Sequence, residues 1–327
     1  MARRGPRSLR DPRRPTGWFA ETEPDGQGGS TDLLTVLLAN RECPWRCVFC
    51  DLWRETLETS LRPGDAPAQL DVALSDGRGA GSPPVRELKL YNAGSYFDAR
   101  AIPPEDDPAI ADRARSFRRL IVESHPLLVG DRCWRLRDRL RSGPGSAATA
   151  LEVAMGLETV NPAVWPALNK RVTLEEFGRA AESLRREEVT FRAFVLVRPP
   201  FEAEGEAVVW AVKSARHARD LGARVVSLIP VRGGNGALEA LQAQGRFRPP
   251  TLETLERALE EALAIGGAVF LADTWDLERL RECGECFGRR RERLERMNQE
   301  QRGVSADPCP TCGWPGSAGG ILAVGPR

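Results

Sequence analysis

Six short apolar runs, each followed by a helical pattern, constrain this chain more than any other feature. They cover residues 33–39, 85–91, 120–122, 151–155, 191–197 and 225–229. Each is short and rich in Val, Leu and Ile, which reads as a strand buried on both faces. The segments between them repeat with helical spacing. Thr173-Leu-Glu-Glu176 is a capping box that opens a helix running to about Glu188. Residues 207–221 place Val208, Trp210, Ala211, Ala215, Ala218 and Leu221 mostly on one side, and Leu252, Leu255, Leu259 and Leu263 follow the same period. Alternating strand and helix predict a parallel sheet with helices outside it. No GxGxxG follows the first run, so a full or partial barrel is a better expectation than a dinucleotide fold. In barrels the loops after the strands carry the chemistry. Residues 266–272 read as one more strand.

Composition sets the class. Hydrophobic residues make up 41% and charged residues 28%, enough to build a sizeable core. Bases and acids nearly cancel, 47 against 46, so no global field points to nucleic acid or to an anionic membrane. Only three of the bases, Lys89, Lys170 and Lys213, are lysines. The apolar runs are far shorter than the roughly 18 residues of a spanning helix. Residues 1–30, rich in Arg, Pro, Gly and Asp, read as a disordered basic tail; a short transit peptide is the alternative, and a secretory signal is excluded by the lack of an apolar stretch. The expected location is cytoplasmic and reducing, where clustered cysteines are metal ligands rather than disulfides. Seven of the eight cysteines are clustered, and the chain has two histidines.

The first group is Arg41-Glu-Cys43-Pro-Trp-Arg-Cys47-Val-Phe-Cys50-Asp-Leu-Trp53, directly after the first run. Three thiolates on one loop can hold three irons of a [4Fe–4S] cubane and leave the fourth open to an external chelator. That is the requirement for reductive chemistry on S-adenosylmethionine (SAM). The competing reading is a structural zinc knuckle that borrows Cys133; otherwise Cys133 is a buried thiol.

This Cx3Cx2C spacing after the first strand, with Phe49 before the last cysteine, resembles the signature of radical SAM enzymes. The resemblance spans residues 33–235 and is similar to the core shared by MiaB, NifB and the catalytic subunit of elongator. Within that group the chain looks most like the radical SAM subunit of archaeosine synthase and its uncharacterised bacterial relatives. The matching segments are Tyr91-Asn-Ala-Gly-Ser-Tyr-Phe-Asp98 with Ile102-Pro-Pro104, Val122-Glu-Ser-His-Pro126, Met155-Gly-Leu-Glu-Thr159, Leu168-Asn-Lys170, Phe194-Val-Leu-Val-Arg-Pro-Pro-Phe201 and Phe247-Arg-Pro-Pro250. The resemblance implies a partial (β/α)6 TIM-like radical SAM barrel that cleaves SAM to a 5′-deoxyadenosyl radical for hydrogen abstraction. It implies that Gly94 and Ser95, with Ala93, hold the SAM amino group through backbone atoms. Glu123 and Glu158 would contact the SAM amine or ribose, or instead cap the helices that follow them. Lys170 would meet the SAM carboxylate, and a lysine kept among so many arginines fits a need for a compact point charge. Arg198 would bind SAM or a substrate anion, or make a surface ion pair. The Gly233-Gly-Asn-Gly236 loop would line the adenine or substrate side. Apolar residues lining the barrel would protect the radical. The implied substrate is a modified, 7-deazaguanine-type nucleobase in tRNA, and the implied reductant is a flavodoxin or ferredoxin.

The second group, Cys283-Gly-Glu-Cys286 and Cys309-Pro-Thr-Cys312, has the spacing of a closed four-cysteine zinc site. An auxiliary [4Fe–4S] cluster needs the same four ligands. Residues 289–296 between the pairs mix both signs and read as a solvated helix face or a nucleic-acid contact. The expected organisation is a tail at 1–30, a barrel at 31–275 and a small four-cysteine module at 276–327. The alternative to an enzyme is a zinc-binding interaction protein, or a radical SAM scaffold without turnover.

Overall fold

A computed structural model describes residues 7–77, 85–142 and 148–318. The Gly/Ser/Pro-rich segments 77–84 and 142–150 fall largely outside the described residues. Among the described residues the sheet has eight strands paired in chain order. They are β1 (Gly17–Pro24), β2 (Ser30–Leu38), β3 (Glu87–Asn92), β4 (Arg119–Glu123), β5 (Ala150–Glu158), β6 (Thr190–Val197), β7 (Val225–Pro230) and β8 (Val269–Ala272). β2 to β8 are parallel neighbours, and β1 pairs antiparallel with β2. The helices are α1 (Asp65–Gly77), α2 (Asp107–Ala114), α3 (Asp131–Arg141), α4 (Leu174–Arg186), α5 (Ala207–Asp220), α6 (Ala237–Ala243), α7 (Leu252–Leu263) and α8 (Phe287–Glu300). α1 to α7 fill the crossovers, as a parallel sheet requires. The result is an α/β partial barrel, open between β1 and β8. The capping box at the start of α4 is formed: Thr173 Oγ1 accepts from Glu176 N–H at 3.1 Å and Glu176 returns a bond to Thr173 N–H. None of the helices is long and apolar enough to cross a membrane.

Side chains alternate across each strand. Leu34, Val36, Leu88, Leu90, Leu120, Val122, Val153, Met155, Phe191 and Val195 join the helices in one core. Their neighbours in sequence face the barrel interior, and in its lower part charges replace the expected apolar lining. Glu21, Glu23, Glu87 and Glu152 meet Lys89, Arg119, Arg192 and Arg224 inside the barrel. Lys89 bonds Glu21 at 2.8 Å and also reaches Glu23. Arg192 bridges Glu23 at 3.1 Å and Glu152 at 2.7 Å. Four acids face four bases, so the buried charges compensate one another, which buried ions require.

Two domain expectations need correction. Residues 17–24 are not part of a disordered tail: they form β1, because Glu21 and Glu23 find their counter-charges on β3 and β6. The segment after residue 275 is also no appendage. Leu277, Leu280, Phe287, Leu294 and Met297 belong to the main core. α8 lies across the open side of the sheet. Asn298 bonds both the N–H and the C=O of Ala272 on β8, Gln301 does the same at Phe270, and Gln299 donates to Thr22 O on β1 at 2.9 Å. Side-chain amides thus stand in for the missing strand-to-strand ladder.

Candidate active site

The loop after β2 carries Cys43, Cys47 and Cys50, and all three are free thiols. Three asparagines tie its backbone down. Asn40 joins Ala93 in both directions, with the Ala93 N–H donating to Asn40 Oδ1 at 3.1 Å. Asn169 Nδ2 donates to Trp45 O at 3.0 Å and Arg46 O at 3.1 Å. Asn235 Nδ2 donates to Val48 O at 2.7 Å and Cys50 O at 3.2 Å. The Val48 N–H donates to Leu168 O at 3.0 Å. The Trp45 ring stacks on His125, with centroids 3.9 Å apart and planes 9° from parallel. His125 accepts from Leu127 N–H at Nδ1, so its proton sits on Nε2, 3.1 Å from Lys170 O. Burial pushes its pKa down to about 4, and the ring is neutral.

The cysteines line one hollow together with Glu42, Arg46, Leu52, Trp53 and Ala93. Gly94, with φ +151°, sits against this loop, and a Cβ there would lie 3.2 Å from Cys43 Cβ. Burial raises all three thiol pKa values, that of Cys47 to about 12. Buried thiolates here therefore need a cationic partner, and three soft donors without histidine suit iron–sulfur ligation.

Beside the cysteines, Lys170 Nζ bonds Glu158 Oε1 at 2.6 Å. Burial opposes the lysine charge, but Glu158, together with Cys47 and Glu123, outweighs it and raises the pKa. Glu123, on the neighbouring strand, is pushed up to about 8 by burial and by Glu158, against the pull of Lys170. One lysine thus compensates one carboxylate, and Glu123 is a neutral acid at neutral pH. Gly156 lies beneath the pair, and any Cβ there would overlap the Glu158 carboxylate and the Lys170 ammonium. Gly156→Ala is expected to push the pair apart and to cost about 1–3 kcal/mol of stability, read from the denaturant midpoint.

The other expected site residues take structural partners. Ser95 Oγ accepts from the His125 N–H at 2.7 Å. The Gly233–Gly236 loop holds the cysteine loop through Asn235, which also accepts from the Ala237 and Leu238 N–H groups at the start of α6. Arg198 Nη1 donates to Pro249 O at 2.9 Å and lies 3.4 Å from Glu204. Arg198 is buried, and its Nε has no partner among the described residues. Arg46, Glu158, Asn169 and Arg198 all have φ between 54° and 67°. Such left-handed backbone is strained for these residue types and gathers at functional sites.

Below the mouth the barrel is hollow. The inward residues Leu37, Tyr91, Glu123, Phe194, Ser227 and Ile229 remain partly accessible. One level lower, Thr35, Lys89, Glu152, Arg192 and Val225 are buried. Tyr91 and Phe194 meet edge to face across the interior, 5.9 Å apart, and floor the hollow above the ion pairs. His125, Asn40, Asn169 and the Tyr91–Phe194 pair had no site role in the sequence, and Asn235 had one only as part of the Gly233–Gly236 loop. His125, Asn169, Tyr91 and Phe194 do stand inside the motif segments quoted there.

The second cysteine group converges. The sulfurs of Cys283, Cys286, Cys309 and Cys312 all lie within 4.8 Å of one another, which makes a four-cysteine metal site. The 43–50 thiols do not converge as closely. Cys309 is drawn down to about 6 by the Cys312 and Thr311 N–H groups.

No family model matches the chain. Over 250 residues it is 27% identical to archaeosine synthase subunit beta of Methanosarcina acetivorans, covering 72% of this chain and 68% of that one. It is 24% identical over 289 residues to an uncharacterized protein of Methanocaldococcus jannaschii, covering 82% and 76%. Among solved structures it resembles a radical SAM methyltransferase from Sphaerobacter thermophilus, with a TM-score of 0.50 and 19% identity, covering 74% of this chain and 66% of the other. The chain has the radical SAM fold.

Proposed function

We propose that the chain is a radical SAM enzyme that cleaves SAM reductively at a [4Fe–4S] cluster held by Cys43, Cys47 and Cys50. The observation that carries this reading is a loop of three free cysteines, clasped at the barrel mouth beside the Lys170–Glu158 pair. When bound, the cluster and SAM supply one-electron cleavage and a 5′-deoxyadenosyl radical for hydrogen abstraction. The residues of the chain bind and orient. Lys170, kept charged by Glu158, would take the SAM carboxylate, and Glu123 would offer a neutral hydrogen-bonding group to the amine or ribose. Gly94 admits close backbone approach beside Cys43. Arg198 Nε is a buried donor free to meet a ligand acceptor.

The substrate we propose is a modified, 7-deazaguanine-type nucleobase in tRNA, with a flavodoxin or ferredoxin as reductant and the cytoplasm as the site of action. Similarity to archaeosine synthase subunit beta supports the base. An aromatic floor in the hollow suits a planar ring.

For the four-cysteine site we propose zinc. Four thiolates about 2.3 Å from one zinc lie about 3.8 Å from each other, and the Cys286 and Cys312 sulfurs are 3.8 Å apart. In a cubane each thiolate meets a different iron, which spreads the sulfurs more widely.

Anaerobic reconstitution, metal analysis and dithionite-driven turnover test the reading. The expected result is about four irons and one zinc per chain, with 5′-deoxyadenosine formed. Cys47→Ala should keep the zinc and lose 5′-deoxyadenosine to background. Zinc alone, with no SAM cleavage, would leave a zinc-binding interaction protein. Iron without cleavage would leave a scaffold that has lost turnover.

A further inference from the structure

Below the mouth, one side chain in the hollow has a reactive group that nothing in the fold uses. Tyr91 faces inward on β3. The strand register places it beside Glu123 on β4, since Leu90 pairs with Val122. Its ring is fixed by Phe194 across the barrel and by Lys89, 5.8 Å from the ring centre. Its hydroxyl makes no hydrogen bond among the described residues, and Tyr91 is partly accessible from the hollow.

Phenols and thiols are the side-chain groups whose X–H bonds yield a hydrogen atom readily to a carbon radical. The chain has two tyrosines and eight cysteines. Tyr96 is fully buried outside the barrel and donates to Asp107 at 3.1 Å. Cys133 is fully buried on α3 among the helix-layer residues. Four cysteines converge on the C-terminal metal site, and three form the mouth loop. Tyr91 is the phenol that remains, and it stands inside the hollow.

We propose that Tyr91 is the hydrogen-atom donor of this barrel, quenching a carbon radical generated in the hollow above it. This rests on the radical SAM reading. In the step the Tyr91 O–H bond breaks homolytically and a C–H bond forms at the radical carbon. The phenoxyl left behind takes one electron from the low-potential donor that reduces the cluster, and one proton from water. The same geometry keeps the phenol protonated: burial raises its pKa, against the pull of Arg192 and Lys89, so it gives an atom rather than a proton.

The test needs no substrate. The holoenzyme, with both metal sites filled, is reduced in D2O with unlabelled SAM alone, and the 5′-deoxyadenosine is weighed by mass spectrometry. Tyr91 carries O–D under these conditions. Wild type should place one deuterium in most of the product. Tyr91→Phe should lower the labelled fraction of the 5′-deoxyadenosine it forms at least fivefold, with iron content within twofold. Tyr91→Cys should restore the label, which a packing role would not. Freeze-quenched wild type should also show a radical signal that narrows when tyrosine is ring-deuterated. Equal labelling in wild type and Tyr91→Phe overturns the inference and leaves the enzyme reading standing. No 5′-deoxyadenosine from wild type overturns both.

Discussion

Replacing Glu152 with leucine is expected to leave little folded protein. Its carboxylate accepts from Arg192 Nε at 2.7 Å, from Arg224 Nε at 2.5 Å and from Arg119 Nη1 at 3.3 Å, all inside the barrel. Leucine matches the volume but removes the one acid that three guanidiniums share. Breaking a buried pair by deleting one partner costs about 3–5 kcal/mol, because the other charge stays in low dielectric. That is a large part of the stability of a typical domain. The exposed pair Glu182–Arg185 provides the comparison, and Glu182→Ala should leave the midpoint almost unmoved. Denaturant midpoints of both variants decide the matter, and similar midpoints would mean that the interior charges are solvated.

The same network sets the acid limit. Burial alone would raise Glu23 and Glu152, but the neighbouring arginines, joined at Glu23 by Lys89, outweigh it and hold both carboxyls at about 2. In the unfolded chain each titrates near 4.5. Their contribution is therefore complete above about 4.5 and is lost as pH falls from there through 2. Glu202, pushed up to about 8 by burial, works in the opposite sense, and its contribution weakens as pH rises from 4.5 towards 8. Stability should peak at mildly acidic pH and fall steeply below about 4.

The second large effect is expected from metal removal at the four-cysteine site. Cys286 caps the start of α8, and Arg290 one turn later reaches Glu256 on α7 at 2.6 Å and lies over the Trp314 ring at 4.3 Å. The metal site and the helix that covers the sheet opening are thus one unit. Structural zinc contributes about 10–16 kcal/mol of apparent binding energy in small modules, and this is folding energy. A strong chelator, or Cys309→Ser, should detach α8 and lower the melting temperature by well over 10 °C. Hydrogen exchange locates the effect. Protection should collapse at residues 269–272 and 18–22, where Asn298, Gln299 and Gln301 bond the strands, and persist in β4 to β6. Uniform loss across the sheet would mean that α8 is not a separable cover.

The parallel strands were legible because their outward faces are Leu, Val and Ile at every second position. The charges between them, Glu152 in Leu-Glu-Val and Arg192 in Phe-Arg-Ala, break those runs without a local reason, since each partner lies on another strand. β1 was missed for the same cause. Its sequence Gly17–Pro24 looks polar until Lys89 and Arg192 are brought opposite its glutamates. The cysteines were legible from spacing alone, because ligands on one loop must be close in sequence. The tethering roles of Asn40, Asn169 and Asn235 were not, even where Asn169 and Asn235 stood in quoted segments, since a side-chain amide that holds a distant carbonyl leaves no period of its own.

Those three amides also bear on the order in which this protein is assembled. The mouth loop is held by Asn40 at its start, which joins Ala93 after β3, by amide donors on the loops after β5 and β7, and by the Trp45–His125 stack. Its shape is therefore fixed when the barrel closes, and no ordering entropy is left to be lost when a prosthetic group arrives. The C-terminal knuckles differ, since residues 283–286 and 309–312 are brought together across 22 intervening residues. An ion held there would belong to the folding event itself. The two inorganic groups would then enter at different moments in the life of one chain, the first while it folds and the second into a finished vessel.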